Sequence, residues 1–324
     1  MNRKLLLLLI LSAIIAVALY RLIGRDFDWS LFITSLWNVQ PGWLMASIAA
    51  TLLTYVVRAF RWKVLLNPLK SIRVGPLIST NVLGFSAIYL IGRAGEVVRP
   101  LWLTRCEQIP LTASVATIIV ERFLDTLMII ALFGWALLVV KLPAAAGHTV
   151  MLMKNTAWVM VAGSVAAMLF LFFFRANVER IVRYVPIARL ASLLKSFSEG
   201  LSFLDRGRSF GLVIAHSILV WIVIVLQFWF MLLGMNFRLS ISAATLVMVG
   251  AAIGSVAQVP GIGGGFQAGY VFCMTTFFIV PAEQAIATSL VAWVSCYVPT
   301  VLAGGLYMVS QGLSLKDLRT VPVE

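Results

Sequence analysis

Val159-Met-Val-Ala-Gly-Ser-Val-Ala-Ala-Met-Leu-Phe-Leu-Phe-Phe-Phe174 carries no charged side chain and a single hydroxyl, and Arg175 closes it. A helix rises about 1.5 Å per residue, so an apolar run of about 17–25 residues crosses the hydrocarbon of a bilayer. The stretch therefore reads as the centre of a membrane span at 157–174. Leu5–Tyr20 has the same character and reads as a first span at 5–23. It is expected to be retained as a helix rather than removed as a signal peptide, although Ala16-Val17-Ala18 weakly resembles a cleavage site.

The whole chain agrees with these two runs. Of its 324 residues, 61% are hydrophobic and 11% charged, against about 45–50% and about 25% in soluble domains. A water-soluble core does not accommodate that excess; lipid does. Further simple spans fall at 41–57, 111–140, 210–233 and 284–309. Two other apolar stretches, 74–107 and 241–280, are broken by Ile91-Gly-Arg-Ala-Gly-Glu-Val-Val-Arg-Pro100 and Val259-Pro-Gly-Ile-Gly-Gly-Gly-Phe-Gln-Ala268. Each reads as a helix–break–helix hairpin, with two short full spans as the alternative. The predicted fold is an all-α integral membrane protein of six simple spans plus two Gly/Pro-broken helical hairpins, arranged as an inverted repeat. The whole of 1–324 forms one polytopic domain, with repeat-like halves at 41–140 and 210–309 and a cytoplasmic linker at 175–209.

The formal net charge of +13 would suggest nucleic acid in a soluble protein. Here the cations gather between apolar runs, so no nucleic-acid partner is expected. Basic loops stay cytoplasmic. Arg58, Arg61, Lys63, Lys70 and Arg73 mark 58–73 as such a loop, and the arginines of 175–209 mark another. The sparse charge between 140 and 157 faces outward. Both termini are then cytoplasmic, and the two hairpins enter from opposite sides. Secondary transporters often have this form, with interrupted helices meeting inside the bilayer.

Ionisable groups inside a membrane are costly, about 2.5–3.5 kcal/mol each on insertion scales, and usually functional. Near the first break stand Arg93, Glu96 and Arg99. Gly92 and Gly95 let the backbone open there, and freed N–H groups with arginines suit a phosphate or carboxylate. The alternative is arginines reaching the headgroups and a capping Glu96. In the run 111–140, Glu121 and Asp125 share a face at i and i+4, and Arg122 can pair with Asp125 at i+3. Arg93 or Arg99 is the expected partner of the acidic pair, and a purely structural ion-pair lock is the competing reading. The second break offers only Gln258 and Gln267 as polar side chains. Pro260, Gly261, Gly263, Gly264 and Gly265 form either a gate or a close-packing surface.

Gly-Arg-Ala-Gly-Glu-Val-Val-Arg-Pro (92–100), Glu-Arg-x-x-Asp (121–125) and Pro-Gly-x-x-Gly-x-Phe-Gln-Ala (260–268) together resemble the flippase-like membrane region of lysylphosphatidylglycerol synthases, over roughly 10–310. Relatives often have Glu or His where this chain has Gln267. In the multiple peptide resistance factor this region moves aminoacylated phosphatidylglycerol, and a separate cytoplasmic domain makes it. The resemblance implies a stand-alone lipid-translocating domain of the cytoplasmic membrane, since too few residues follow the last run for a synthase half. Its partners would be a membrane phospholipid or lipid-linked substrate and a separate lipid-synthesising enzyme. The alternatives are a membrane-embedded lipid-modifying transferase, with Glu121 or Asp125 as base, and a non-transporting scaffold for a lipid enzyme. Neither a cofactor nor a metal is expected. His148 and His216 are isolated, no Walker motif is present, and Cys106, Cys273 and Cys296 read as packing residues.

Overall fold

A computed structural model describes residues 27–140, 147–205, 207–257, 259 and 264–312. Its described residues form eleven α-helices and no strand: α1 Trp29–Trp37, α2 Pro41–Leu66, α3 Val74–Ile91, α4 Val98–Glu107, α5 Leu111–Val139, α6 Gly147–Arg183, α7 Ala188–Gly200, α8 Gly207–Gly234, α9 Ile241–Gly254, α10 Gly265–Phe278 and α11 Ala282–Ser310. Six contain segments long and apolar enough to span a membrane: α2, α3, α5, Asn155–Arg183 of α6, α8 and α11. The predicted span at 5–23 lies outside the described residues. The protein is an all-α, multi-pass membrane protein.

The element order repeats. Helix α2, the broken pair α3–α4 and helix α5 are matched by α8, the broken pair α9–α10 and α11. The two leading helices run antiparallel against each other. Gln40 N–H donates to Gly234 O at 2.7 Å at one end, Ser47 Oγ to Gln227 O at 3.0 Å further along, and Arg61 Nη1 to Ser217 Oγ at 3.4 Å.

The hairpins open toward opposite ends of the bundle. At the mouth of the first, Ile72, Leu77, Leu103 and Ile109 pack with Phe174 and Leu201. Lys70 closes that mouth, with Nζ donating to Glu107 O at 2.6 Å and 3.3 Å from its carboxylate. At the mouth of the second, Leu239, Phe277 and Phe278 pack with Leu137, Val140 and Ala157. Helices α5 and α6 contribute one end to each cluster, so a helix length separates the mouths. Antiparallel leading helices and opposed hairpins are the geometry of an inverted repeat.

Close approach shapes both hairpins. Gly250-x-x-x-Gly254 on α9 faces Gly265-x-x-x-Gly269 on α10, and a Cβ at Gly254 or Gly265 would overlap the other's carbonyl oxygen. Small residues at this spacing let helix backbones meet. Helices α9 and α10 have 14 residues each, a rise of about 21 Å against about 30 Å of hydrocarbon. In the first hairpin, Gly92 (φ 70°) ends α3, and the 3-10 turn Gly92–Val97 doubles back until Gly95 lies on the backbone of Ala87 and Ile88.

Two expected loops are helical. Helix α2 continues through 58–66 because Ala59, Trp62, Leu65 and Leu66 extend its buried face. The linker 175–209 is occupied by the end of α6, by α7 and by the 3-10 turn Ser202–Asp205. Leu194, Phe197 and Leu201 pack that segment against the basic end of the bundle. Positive residues alone could not distinguish a loop from a helix end with buried arginines.

Candidate functional site

Four arginines and two carboxylates meet inside the bundle, in the half nearer the basic end. Helix α2 supplies Arg58 and Arg61, α4 supplies Arg99, and α5 supplies Glu121, Arg122 and Asp125. Arg61 and Glu121 are 0% exposed and Arg99 is 1% exposed, so water does not screen them. Glu121 lies within 3.5 Å of all four guanidiniums. Arg99 grips it with both prongs, Nη1 to Oε1 and Nη2 to Oε2, each at 3.1 Å. Asp125 accepts from Arg58 Nη1 at 3.1 Å and from Arg61 Nη1 at 2.6 Å. Among the described residues the formal balance is four positive groups against two negative ones, an excess of two positive charges.

Local sequence explains the convergence. Gly84 on α3 offers no side chain, and the aliphatic stem of Arg99 occupies the space that a Cβ would take. The next residue, Phe85, turns its ring to Arg58, Arg99 and Arg122, whose Cζ atoms lie 5.1, 5.4 and 5.6 Å from its centroid. Trp62 lies beneath Arg99 at 4.6 Å and donates Nε1–H to Thr117 Oγ1 at 3.1 Å. Such ring faces contribute up to about 2 kcal/mol each when desolvated. Aromatic faces thus hold the cations where carboxylates are too few.

Several donors remain unspent. Arg61 Nε and Nη2 and Arg99 Nε are buried without a hydrogen-bond partner among the described residues. Arg61 Nη2 is 3.1 Å from Glu121 Oε1, close enough for Coulomb attraction but not aligned as a hydrogen bond. A buried donor without an acceptor costs free energy, and an anionic oxygen would offset that cost at Arg61 Nε and Arg99 Nε.

Of the residues singled out in the sequence, the fold brings together Arg99, Glu121, Arg122 and Asp125. Among the described residues, the ion pair of Arg122 is with its neighbour Glu121 at 3.5 Å, not with Asp125. Glu96 sits half-buried on the 3-10 turn, one turn before Arg99. Arg93 lies on the same turn, and its side chain is outside the described ones. Gln267 serves its own helix, its Oε1 accepting from Gly264 N–H at 2.6 Å in a cap of α10. Gly264 has φ 85°, and Gly265 is the first residue of α10 against Gly254. Gln258, Pro260, Gly261 and Gly263 lie outside the described residues.

Arg58 and Arg61 escape the sequence reading because they stand where a basic cytoplasmic loop is expected. A signal was present: Thr51, Thr54, Arg58, Arg61 and Leu65 recur at steps of three and four, as on one helix face. No group of three His, Cys, Asp or Glu residues able to hold a metal occurs among the described residues.

The family model described as Lysylphosphatidylglycerol synthase TM region matches residues 7–304. The chain belongs to this family. No curated protein and no solved structure matches it. Membership of the lysylphosphatidylglycerol synthase membrane-region family links the chain to membrane lipid. Within it, Gly-Arg-Ala-Gly-Glu-Val-Val-Arg-Pro (92–100) provides the first hairpin's turn together with Arg99, and Glu-Arg-x-x-Asp (121–125) provides the carboxylates that Arg99 meets.

Proposed function

We propose that this protein carries a phosphate-bearing lipid between the leaflets of the cytoplasmic membrane, with the cationic end of the ion cluster receiving the phosphate. The observation that carries the reading is the imbalance around Glu121 and Asp125: an excess of two positive charges among the described residues, and two buried guanidinium nitrogens, Arg61 Nε and Arg99 Nε, without an acceptor. A phosphodiester supplies one negative charge and acceptor oxygens, and Arg is suited to it. The opposed hairpins of the inverted repeat are the moving parts that would expose the site to each leaflet in turn. The basic end faces the cytoplasm under the positive-inside rule.

Transferase chemistry fits the cluster poorly. Both carboxylates already accept from arginines, which leaves neither placed as a free base.

The test uses the full chain reconstituted in phosphatidylcholine–phosphatidylglycerol liposomes. Headgroup-labelled phosphatidylglycerol and a phosphate-free glycosyl diacylglycerol are compared by the rate at which an external quencher reaches inner-leaflet label. Arg122→Gln is the informative variant, because Arg122 is the cluster's most exposed cation, its side chain 35% exposed. The reading expects phosphatidylglycerol to move at least about tenfold faster than in empty vesicles, with most of that gain lost in the variant. Equal movement of the glycolipid, or none of either, would overturn it.

A further inference from the structure

One face of α5 changes character halfway along. Ser114, Thr117, Glu121 and Asp125 follow one another at helical spacing and are all buried. Continuing past Asp125, the same face presents Met128, Leu132 and Trp135, which line a cavity of about 320 Å³. Across it stand Trp221, Val225 and Ile241 of α8 and α9. The one hydroxyl in its wall, that of Thr245, is spent on Ile241 O at 2.8 Å. The cavity opens outward between α5 and α8, where Trp135 and Ile222 are 41% and 49% exposed.

The ion cluster and this cavity are neighbours along both walls. On α5, Met128 stands one turn beyond Asp125. On α8, Trp221 stands one turn beyond Ser217, whose Oγ accepts from Arg61. From the level of Asp125 to that of Trp135 the helix rises about 15 Å, half of the roughly 30 Å hydrocarbon. The volume is that of a small ligand site, about 300–1,000 Å³.

We infer that the cavity is an acyl-chain seat, holding one tail of the same lipid whose phosphate meets the arginines. The inference rests on the phosphate reading and adds to it a two-part, amphiphilic site with a fixed direction. The headgroup points to the basic end and the tail to the opposite end. That is how a lipid of the leaflet at the basic end lies, drawn inward from its usual depth. Elsewhere the described outer surface is apolar, and the cations that follow the exposed face of α6, Arg180 and Arg183, are themselves exposed at its basic end instead of buried in an ion cluster. Val159, Phe170 and Phe173 of α6, exposed at 72%, 57% and 59%, are ordinary lipid-facing surface.

The test is photolabelling of the full chain in nanodiscs, with a diazirine at the middle of one acyl chain and the labelled peptides read by mass spectrometry. Two probes are used, a phosphatidylglycerol and a diacylglycerol with the same chains. The expected result is phosphatidylglycerol label concentrated at least about fivefold on 128–135 and 218–226 relative to 159–173, with diacylglycerol label spread over all three. Ile222→Trp, which fills the cavity from its rim, should abolish the concentration while leaving label on 159–173 unchanged. Phosphatidylglycerol label spread in proportion to exposure would overturn the seat, even if the liposome assay showed phosphate-dependent movement. Equal concentration of both probes would overturn the coupled site through its phosphate half, because the tail would then seat without a headgroup.

Discussion

Arg99 and Glu121 face each other as two parallel prongs, Nη1 on Oε1 and Nη2 on Oε2 at 3.1 Å, from helices that meet at the closed mouth of the first hairpin. The pair is unequal in its surroundings. Glu121 is shared among four guanidiniums, whereas Arg99 has one carboxylate and two aromatic faces. Removing one side of a buried pair generally costs about 3–5 kcal/mol, because the other charge is left uncompensated.

Glu121→Gln should therefore be the more damaging change. It raises the cluster's formal excess from two to three positive charges, and we expect a loss near the upper end of that range. Arg99→Met lowers the excess to one and leaves Glu121 with three cationic neighbours, so its cost should be clearly smaller. Thermal unfolding of purified protein in detergent measures both. Equal losses would mean that the bidentate contact, and not the charge balance, dominates.

Much of the architecture was written in the sequence as hydrophobic length. Runs of apolar residues set the spans, and Gly92-x-x-Gly95 marked where the first hairpin turns. Arg99, Glu121 and Asp125 could be placed together because charges at such depth need partners. Arg58 and Arg61 could not, since a basic residue near a span's end has two physical uses. It can hold a loop in the cytoplasm, or sit buried against a carboxylate 64 or 67 residues away in the chain. Only the packing of Trp62 and Phe85 decides between them. Gln267 has two uses for a related reason, because a polar side chain beside a break can satisfy the helix end, as its bond from Gly264 N–H does.

Gly95 should tolerate no side chain. A Cβ there would overlap the backbone carbonyl carbon of Ala87 and the nitrogen of Ile88, and backbone cannot rotate away as a side chain can. Gly95→Ala should lower stability by about 1–3 kcal/mol and shift the turn that positions Arg99. Gly75→Ala has nothing within 4 Å of the new methyl and lies in helix, so it should be neutral or stabilising by up to about 1 kcal/mol. The contrast is read as the difference in unfolding temperature between the two variants.

Gln267 can be tested as a cap. Gln267→Leu removes the acceptor for Gly264 N–H and should cost about 0.5–2 kcal/mol, whereas Gln267→Glu keeps an acceptor and adds negative charge at a helix N-terminus, where it is favourable. The expected order of stability is Glu equal to or above Gln, with Leu lowest. Hydrogen exchange at the start of α10 is the direct measurement, and slow exchange in the Leu variant would show that the cap contributes nothing.

At the basic end, Arg175 staples α6 to the segment that follows it. Its Nε reaches both Asp205 oxygens at 3.1 and 3.2 Å, its Nη2 reaches Oδ2, and its Nη1 donates to Ser198 O and Oγ at 3.1 and 2.9 Å. Hydrogen bonding from Arg175 is the main cause holding the Asp205 carboxyl below the ordinary aspartate range. A carboxylate depressed in the folded state stabilises the fold above its unfolded pKa, about 3.9 for Asp, and that contribution disappears as pH falls through the folded value. Asp205 is half exposed, with 50% of its side chain in contact with solvent, so the contribution should not exceed about 1 kcal/mol. Asp205→Asn should thus unfold a few degrees below the unchanged protein, by a constant margin, between about pH 5 and 8. The margin should shrink below about pH 4 and vanish once both states bind the proton. A margin that persisted into acid would show that the charge on Asp205 is not the source of the stabilisation.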